Sequence, residues 1–383
     1  MRVNVASLTG THPLDLAREL DKTGVLGRYY TALPRFRVPA LPQERVATRP
    51  VLLLPHALLR RTGLGHLERH IDWRTTEAFD RWLSRAISPC DVFHVLTTYG
   101  LRAIRRAKSE YGALTVCDRG SSHIRMCDRL LREEFARWGV AFDGIDPRVV
   151  AKEEAEYAES DVIAVPSTFA WRSFVDAGTE MNKVVAIPYG VRLEEYFPVT
   201  KRDEVFRVLC VAQLAVRKGI GYLLEAVSSA ALPGSELVLR GALLPETKPI
   251  LARYAGHYRL HPPLPRQQMR DLYSQASVLV LPSVEDGFGL VIGQAMACGV
   301  PVIATTNTGG PDLITDGVDG FIVPVRDAGA IRERLEHLYR NPDIRVAMGR
   351  AALDKVRSLN GWAEYARQVR ELYQSRLARR HAY

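Results

Sequence analysis

The chain has 383 residues, of which 47% are hydrophobic and 25% are charged, as in folded globular proteins. This length predicts two domains. No apolar run approaches the ~18 residues that a membrane-spanning helix needs, and the apolar part of the N-terminus is too short for a signal peptide. The formal net charge of +9 allows three interpretations, namely an anionic membrane surface, nucleic acid or simple solubility.

Nucleic acid is the least favoured of these partners, because no recognisable module interleaves basic with aromatic residues. The candidates for peripheral contact with an anionic membrane are Arg60, Arg61 and the basic tail at residues 376–381, and the alternative is a solvated surface. The five cysteines show no C-x-x-C spacing, so we expect buried free thiols in a reducing compartment. The predicted location is therefore cytoplasmic, at most peripheral to the inner face of the membrane.

Short apolar runs alternate with helical patterns along the whole chain. Because strands that alternate with helices form parallel sheets with covered faces, this pattern predicts an α/β protein with two such domains. The predicted strands of the first half are residues 3–8, 51–54, 92–96, 114–117, 162–165 and 184–187. Those of the second half are residues 208–212, 236–239, 278–281, 300–304 and 321–323.

The chain turns between residues 188 and 198 and then becomes polar, which predicts a domain boundary there. The first domain is expected to span residues 1–195 and the second residues 196–360. Residues 361–383 form a separate terminal segment, in which apolar side chains recur at helical spacing.

The most informative stretch is residues 277–324, which predicts three strands separated by two glycine-containing turns and two helices. The first turn reads Glu285-Asp286-Gly287-Phe288-Gly289, and the helix after it covers residues 290–298. In such folds ligands bind at the carboxyl ends of strands. Glycine backbone N–H groups and a helix N-terminus together favour phosphate.

This stretch resembles the donor-site signature of the retaining GT4-type glycosyltransferases (glycosyl transferases group 1). The family pattern is E-x7-E, with G-F-G after the first acid and A-M-A after the second, and Asp286 and Gln294 occupy the two acid positions here. The resemblance implies the GT-B fold, in which two Rossmann-like parallel-sheet domains face each other across a cleft. It also implies that the first domain binds the acceptor, that the second binds a nucleotide-sugar, and that the terminal helix crosses back to the first.

The resemblance places the donor diphosphate at Arg217 and Lys218, which follow the predicted strand 208–212. Lys218 matches the family's lysine, Gln213 stands at the position of its arginine, and Arg217 is expected to bind the phosphate instead, since guanidinium groups suit phosphate oxygens. Fixed cations there lower the barrier to departure of the diphosphate. The alternative is two exposed cations at the start of a helix.

By the same resemblance, Asp286 contacts hydroxyls of the donor sugar, and the neighbouring Glu285 could serve instead. A turn acid can also cap a helix, which is the structural alternative for Asp286. Gln294 would bind the ribose hydroxyls, because an amide can both accept and donate hydrogen bonds. The remaining contacts expected for the phosphates are backbone N–H groups of Gly287, Phe288, Gly289 and Leu290.

In the first domain, His123 is the candidate for the family's histidine near the donor sugar, and its alternative is a structural role. Arg119 is a second candidate, for phosphate or an anionic acceptor. Gly10 resembles the glycine turn after the family's first strand, and His12 beside it is a weaker candidate. Residues 259–265 are predicted to contact the base, without distinguishing uracil from guanine.

The sequence has no D-x-D pair at a strand end and no histidine spacing typical of metal sites, so we expect a metal-independent enzyme with no cofactor. Its donor substrate would be a nucleotide-sugar such as a UDP- or GDP-sugar. The resemblance implies hexosyl transfer with retention of anomeric configuration to a saccharide, lipid-linked or small-molecule acceptor, in polysaccharide or glycolipid synthesis. The resemblance also implies a front-face mechanism, in which the acceptor hydroxyl attacks as the diphosphate leaves. The leaving phosphate oxygen then takes the proton of that hydroxyl. The alternatives are a nucleotide-sugar epimerase or hydrolase, and a non-catalytic GT-B-like binding protein.

Overall fold

The computed structural model describes residues 1–10, 12–56 and 68–381, so Arg60 and Arg61 lie outside the described residues. Within the described residues, the first half forms a seven-stranded parallel sheet in the order β3-β2-β1-β4-β5-β6-β7. Its strands are β1 (Val3–Ala6), β2 (Leu26–Thr31), β3 (Val46–Thr48), β4 (Val92–Leu96), β5 (Leu114–Asp118), β6 (Val162–Val165) and β7 (Val184–Ala186).

The second half forms a six-stranded parallel sheet in the order β10-β9-β8-β11-β12-β13, again counted over the described part of the chain. Its strands are β8 (Arg207–Val211), β9 (Glu236–Arg240), β10 (Arg259–Leu260), β11 (Val278–Leu281), β12 (Val302–Thr305) and β13 (Gly320–Val323). In both sheets the strand order reverses next to the first strand of the sheet. The reversals, between β1 and β4 and between β8 and β11, are where ligands bind in folds of this class.

Helices cover both sheets. Those of the first half are α1 (His12–Lys22), α2 (Glu68–Ala86), α3 (Leu101–Tyr111), α4 (Ile124–Arg137), α5 (Pro147–Glu159) and α6 (Thr168–Asp176). The second half has α7 (Ile220–Ser229), α8 (Lys248–Arg253), α9 (Met269–Ser274), α10 (Leu290–Ala297), α11 (Gly310–Leu313), α12 (Ala328–Arg340), α13 (Pro342–Ser358) and α14 (Gly361–His381). None of the described helices is both long enough and apolar enough to cross a bilayer.

The apolar runs of the sequence form the buried strands, as β11 illustrates. All four of its residues are buried, because a parallel strand in the middle of a sheet is covered on both faces. The five cysteines are likewise buried and unpaired, as predicted: Cys90, Cys117, Cys127, Cys210 and Cys298. Burial raises the pKa of the Cys90 thiol to about 12, which makes it unreactive.

The prediction of a strand at residues 51–54 is wrong. Those residues lie largely in a 3-10 turn, Pro50–Leu53, and the edge strand is β3 instead. Pro50 explains the difference, because it has no N–H for a strand ladder and its fixed φ suits the first turn of a helix. The strands β2, β3 and β10 were not predicted.

The terminal helix α14 packs against the first half of the molecule, although it follows the second half in sequence. Its buried face carries Trp362, Tyr365 and Tyr373. The hydroxyl of Tyr373 lies 2.7 Å from Nδ1 of His94, at the centre of the first sheet. Arg380 donates to the carbonyl oxygen of Gly112 at 3.2 Å.

Candidate functional site

The two predicted phosphate-binding cations lie in a 3-10 turn, Val216–Lys218, just beyond β8. Gly219 ends this turn at φ +65°, and a Cβ built there would lie 1.9 Å from the carbonyl oxygen of Pro282. Only glycine fits so close to the end of β11. The turn therefore holds both cations against the turn that carries the predicted acids.

Each cation contacts one of the acids. Lys218 is buried and forms an ion pair with Asp286. Nη1 of Arg217 donates to the carbonyl oxygen of Glu285 at 3.1 Å and lies 3.5 Å from its carboxylate. Burial alone would raise the pKa of Asp286, but Lys218 and Arg217 outweigh it and hold that pKa below its usual value. The acid therefore stays ionised beside its cations.

Glu285 joins the two domains. Its side chain is 1% exposed, and its Oε1 accepts hydrogen bonds from the backbone N–H and the hydroxyl of Ser122 at 3.1 and 2.8 Å. The hydroxyl of Ser121 donates to the same oxygen. Burial opposes ionisation, but Arg217 and the Ser121 hydroxyl lower the pKa of Glu285 overall. Glu285 thus fixes the second domain against the turn after β5.

The G-F-G turn also packs directly on the first domain. A Cβ built on Gly287 would lie 2.2 Å from the carbonyl oxygen of Gly120, so only glycine allows this approach. The Ser167 hydroxyl donates to the carbonyl oxygen of Gly287 at 2.5 Å. The backbone N–H of Thr168 donates to the carboxylate of Asp312, at 3.0 Å to one of its oxygens. These contacts show a closed arrangement of the two domains.

The N-terminus of α10 follows this turn. Gly289 precedes it at φ +77° and gives it no side-chain cap, and Phe288 packs its ring on Tyr189 of the interdomain crossing, 5.3 Å between centroids. Asp286 accepts a hydrogen bond from the backbone N–H of Phe288, so the capping interpretation of Asp286 and its ion pair coexist. Leu290 begins the helix.

The two glutamines that were predicted to bind the donor, Gln213 and Gln294, lie apart from this cluster. Oε1 of Gln294 accepts a hydrogen bond from the hydroxyl of Tyr273 at 2.8 Å, which joins α10 to α9. Gln213 is exposed beyond β8. The structure therefore brings together Arg217, Lys218 and the two acids with the G-F-G turn, and gives Gln294 a partner within its own domain.

His123 and Arg119 have structural surroundings. His123 is buried at the N-cap of α4, with its ring against Tyr157 and Phe174 at 5.2 and 4.9 Å, and burial lowers its pKa. This placement favours the structural alternative for His123. The guanidinium of Arg119 donates to the carbonyl oxygen of Ser122 at 2.9 Å and to Glu153, which holds the turn after β5 in place.

A buried polar cluster, not predicted from the sequence, lies at the carboxyl end of the first sheet. Asp118 ends β5 and is 1% exposed, and Nε2 of His12 and Nε2 of His94 lie 2.8 and 3.0 Å from its Oδ2. Burial alone would raise the pKa of Asp118, but His12 and His94 lower it below its usual value. No spacing rule links residues 12, 94 and 118, because the order β1-β4-β5 in the sheet brings them together.

No group of His, Cys, Asp or Glu among the described residues is arranged to hold a metal ion. The site brings together two cations, two carboxylates and a helix N-terminus beside the cluster of Asp118.

Comparison with known proteins agrees with this geometry. The sequence profile of the family Glycosyl transferases group 1 matches residues 205–341. D-inositol 3-phosphate glycosyltransferase of Kribbella flavida is 28% identical over 252 residues, which are 60% of this chain and 59% of that protein. The chain thus matches less than two thirds of that relative's length.

Solved structures share the whole fold. Sucrose-phosphate synthase from Thermosynechococcus elongatus superposes with a TM-score of 0.72 at 18% identity, over 99% of both chains. Anabaena HepE in complex with UDP-glucose gives a TM-score of 0.68 at 16% identity, over 98% of this chain and 100% of HepE. The predicted GT-B fold of two Rossmann-like domains is confirmed, and residues 205–341 of the chain match the family of group 1 glycosyltransferases.

Proposed function

We propose that this protein transfers a sugar from a nucleotide-sugar to a saccharide, lipid-linked or small-molecule acceptor, with retention of anomeric configuration. The observation that carries the proposal is the pairing of Arg217 and Lys218 with Glu285 and Asp286 where the strand order reverses in the second sheet. This is the position at which open α/β sheets bind ligands.

In the proposed donor complex, the diphosphate replaces Asp286 as the partner of Lys218. It likewise replaces Glu285 as the partner of Arg217. Lys218 and Arg217 then stabilise the negative charge that grows on the leaving phosphate as the bond to the anomeric carbon breaks. Because Lys218 is buried, this stabilisation is stronger than it would be in water and needs little reorganisation. Asp286, released from Lys218, is free to accept hydrogen bonds from hydroxyls of the sugar.

The comparisons support a class of donor and a class of acceptor, but they do not identify the individual substrates. HepE is known in complex with UDP and with UDP-glucose, which supports a uridine or similar nucleotide donor here. The relatives named D-inositol 3-phosphate glycosyltransferases support an acceptor that presents hydroxyl groups.

Replacing Lys218 tests the proposal. Lys218→Ala should lower the rate of transfer by about a hundredfold or more, the scale expected when one donor to a developing anion is lost. The measurement is release of nucleoside diphosphate from UDP-glucose, UDP-N-acetylglucosamine and GDP-mannose. Lys22→Ala is the matched control, because Glu19 on the surface of α1 is the only ion-pair partner of Lys22 among the described residues.

Loss of Lys218 also leaves Asp286 without its cation, so thermal unfolding of each variant has to be measured in parallel. Lys218→Gln retains a hydrogen-bond donor toward Asp286 and should fold even if Lys218→Ala does not. Turnover near the wild-type rate in a folded Lys218 variant would rule the proposal out.

We also propose that transfer needs no divalent metal, because in the proposed donor complex the fixed cations and the N-terminus of α10 stabilise the charge of the phosphate. Activity should therefore survive excess chelator. The measurement is release of nucleoside diphosphate after dialysis of the protein against chelator. Loss of activity that magnesium or manganese restores would contradict the proposal.

A further inference from the structure

Arg240 ends β9 at the carboxyl edge of the second sheet, beside the end of β8. The backbone N–H of Ala212 donates to the carbonyl oxygen of Arg240 at 3.0 Å. A Cβ built on the next residue, Gly241, would lie 1.6 Å from the carbonyl oxygen of Ala212, so only glycine lets the two strand ends approach this closely. Arg240 is therefore held next to the turn that leads from β8 to Arg217 and Lys218.

The side chain of Arg240 lies on the face of the sheet that α9 and α10 cover. Val238, two residues earlier, packs in one buried cluster with Tyr273 of α9 and Ala295 of α10, and alternate residues of a strand share a face. Burial raises the pKa of the Tyr273 hydroxyl, and Arg240 lies close enough to oppose that rise in part. Arg240 therefore faces the region where Tyr273 contacts Gln294.

The guanidinium of Arg240 has no ion pair and no hydrogen bond within the described part of the chain, and its Nε is buried. By contrast, Arg207 and Arg259, at the amino edge of the same sheet, both form ion pairs with Glu236. Buried donors without a partner are uncommon in folded proteins, and a partly buried charge without a counter-ion costs free energy. The unpaired arginine lies at the edge of the sheet where ligands bind.

The order of the strands places Arg240 between the regions proposed for the two ends of the donor. Along the edge of the sheet the order is β10-β9-β8-β11, with neighbouring strands about 4.8 Å apart. The base is predicted to contact residues 259–265, which include β10, and the diphosphate is proposed to bind the turns after β8 and β11. A nucleotide that connects these regions crosses the end of β9 with its ribose and its first phosphate.

We propose that Arg240 binds the α-phosphate of the donor, which is the phosphate joined to the nucleoside, while Lys218 and Arg217 bind the β-phosphate. The inference rests on the proposed function. A guanidinium group can only donate hydrogen bonds, and its planar fork fits two oxygens of one phosphate. The α-phosphate also supplies the counter-ion that Arg240 lacks without a ligand.

Calorimetric titration of wild type and Arg240→Gln with UDP, UMP, GDP and GMP tests this contact. Arg240→Gln should bind each of the four about ten- to a hundredfold more weakly, the scale of a charge-assisted hydrogen bond, because all four carry the α-phosphate. Uridine and guanosine, titrated by NMR spectroscopy, lack that phosphate and should bind both proteins with affinities equal within about twofold.

Thermal unfolding without ligand separates a binding role from a structural one. Arg240→Gln should unfold at the wild-type midpoint or above it, because the substitution removes a partly buried charge that has no counter-ion. Arg240→Lys keeps the charge but not the fork, so its affinity for UDP should lie between those of wild type and Arg240→Gln. Arg253→Gln is the matched control, because it removes the same charge from an exposed position of α8.

The kinetics of transfer should separate Arg240 from Lys218. The charge of the α-phosphate is the same in the bound donor and in the transition state, so Arg240 stabilises both equally. With UDP-glucose, UDP-N-acetylglucosamine or GDP-mannose as donor, Arg240→Gln should therefore raise KM by about ten- to a hundredfold and keep kcat within about threefold. Lys218→Ala should instead lower kcat.

Wild-type affinities for UDP and UMP in Arg240→Gln would overturn the inference and leave the proposed function standing. An equal loss of affinity for uridine and UDP would also overturn it, because Arg240 would then contact the nucleoside. Failure of Arg240→Gln to fold would overturn it as well, since a side chain without partners is not needed for folding. If wild type binds none of the nucleotides and releases no nucleoside diphosphate from any donor, both proposals are overturned.

Discussion

Gln294 has one partner in the structure, Tyr273, and a second one that is proposed, the ribose of the donor. Its Oε1 accepts a hydrogen bond from Tyr273, a contact that the sequence did not reveal, and its amide hydrogens are expected to face the ribose of the donor. A substitution that removes the amide therefore affects folding as well as binding, because the hydroxyl of the buried Tyr273 loses its acceptor.

Gln294→Leu should weaken binding of the nucleoside diphosphate by about five- to a hundredfold, because unpaired buried hydroxyls cost about 1–3 kcal/mol. It should also lower the free energy of unfolding. Tyr273→Phe is the control, since it removes the same internal hydrogen bond and should leave the affinity unchanged. Calorimetric titration with UDP and with GDP measures the affinity of each variant. Equal affinities in wild type and Gln294→Leu would contradict a contact between Gln294 and the donor.

The two histidines of the first domain show where residue-level prediction from sequence ends. His123 was selected because it follows a strand, yet it caps α4 within the core. His12 was a weak candidate, although it pairs with Asp118 across 106 positions of the chain. Local sequence gives no sign of such a pair, because it depends on which strands become neighbours in the sheet.

At the scale of elements, the G-F-G turn sets how closely the two domains approach. Gly287→Ala would place a Cβ against the carbonyl oxygen of Gly120, which is backbone and cannot rotate away. We expect a cost of about 1–3 kcal/mol for closure, hence a fall in transfer of about five- to more than a hundredfold. Gly329→Ala, in the first turn of α12, is the control.

Small-angle X-ray scattering distinguishes this effect from misfolding. Gly287→Ala should have a larger radius of gyration than wild type in the presence of UDP, with secondary structure unchanged by circular dichroism. A variant that is as compact and as active as wild type would show that the contact between Gly287 and Gly120 does not matter for transfer.

Most strands could be predicted because buried parallel strands are continuous apolar runs, as in β11. The three strands that were missed lack that pattern, and β3 has only three residues. β2 contains Gly27 and Arg28, and β10 has only two residues, both exposed at the edge of the sheet. The turns of the candidate site were recognised from glycines and acids in the sequence, whereas the ion pairs between them depend on contacts between β8 and β11.

At the scale of the whole molecule, the closed arrangement also depends on Arg326. Its Nε donates to Glu134 of α4 at 2.8 Å, and its Nη2 lies 3.1 Å from Glu133. Glu134 is fully buried and also accepts from Nε1 of Trp138 at 2.8 Å. Loss of Arg326 therefore leaves a buried carboxylate without its cation, at the boundary between the domains.

Arg326→Ala should destabilise the closed form by about 1.5–3 kcal/mol, the range for hydrogen bonds to charged groups. Scattering should then show a larger radius of gyration without ligand, and UDP should restore part of the compaction. Arg340→Ala is the control, because Arg340 forms an ion pair with Glu336 of the same helix, α12, which does not join the two domains. An unchanged radius of gyration in Arg326→Ala would show that this ion pair does not hold the domains together.

The position of α14 has a consequence for how the protein is made. Its aromatic residues Trp362, Tyr365 and Tyr373 complete the core of the first domain, although they follow the whole second sheet in the sequence. The residues of the second sheet are all synthesised earlier. Although domains generally fold in order of synthesis, here the first domain can finish its packing only after the second sheet has been synthesised.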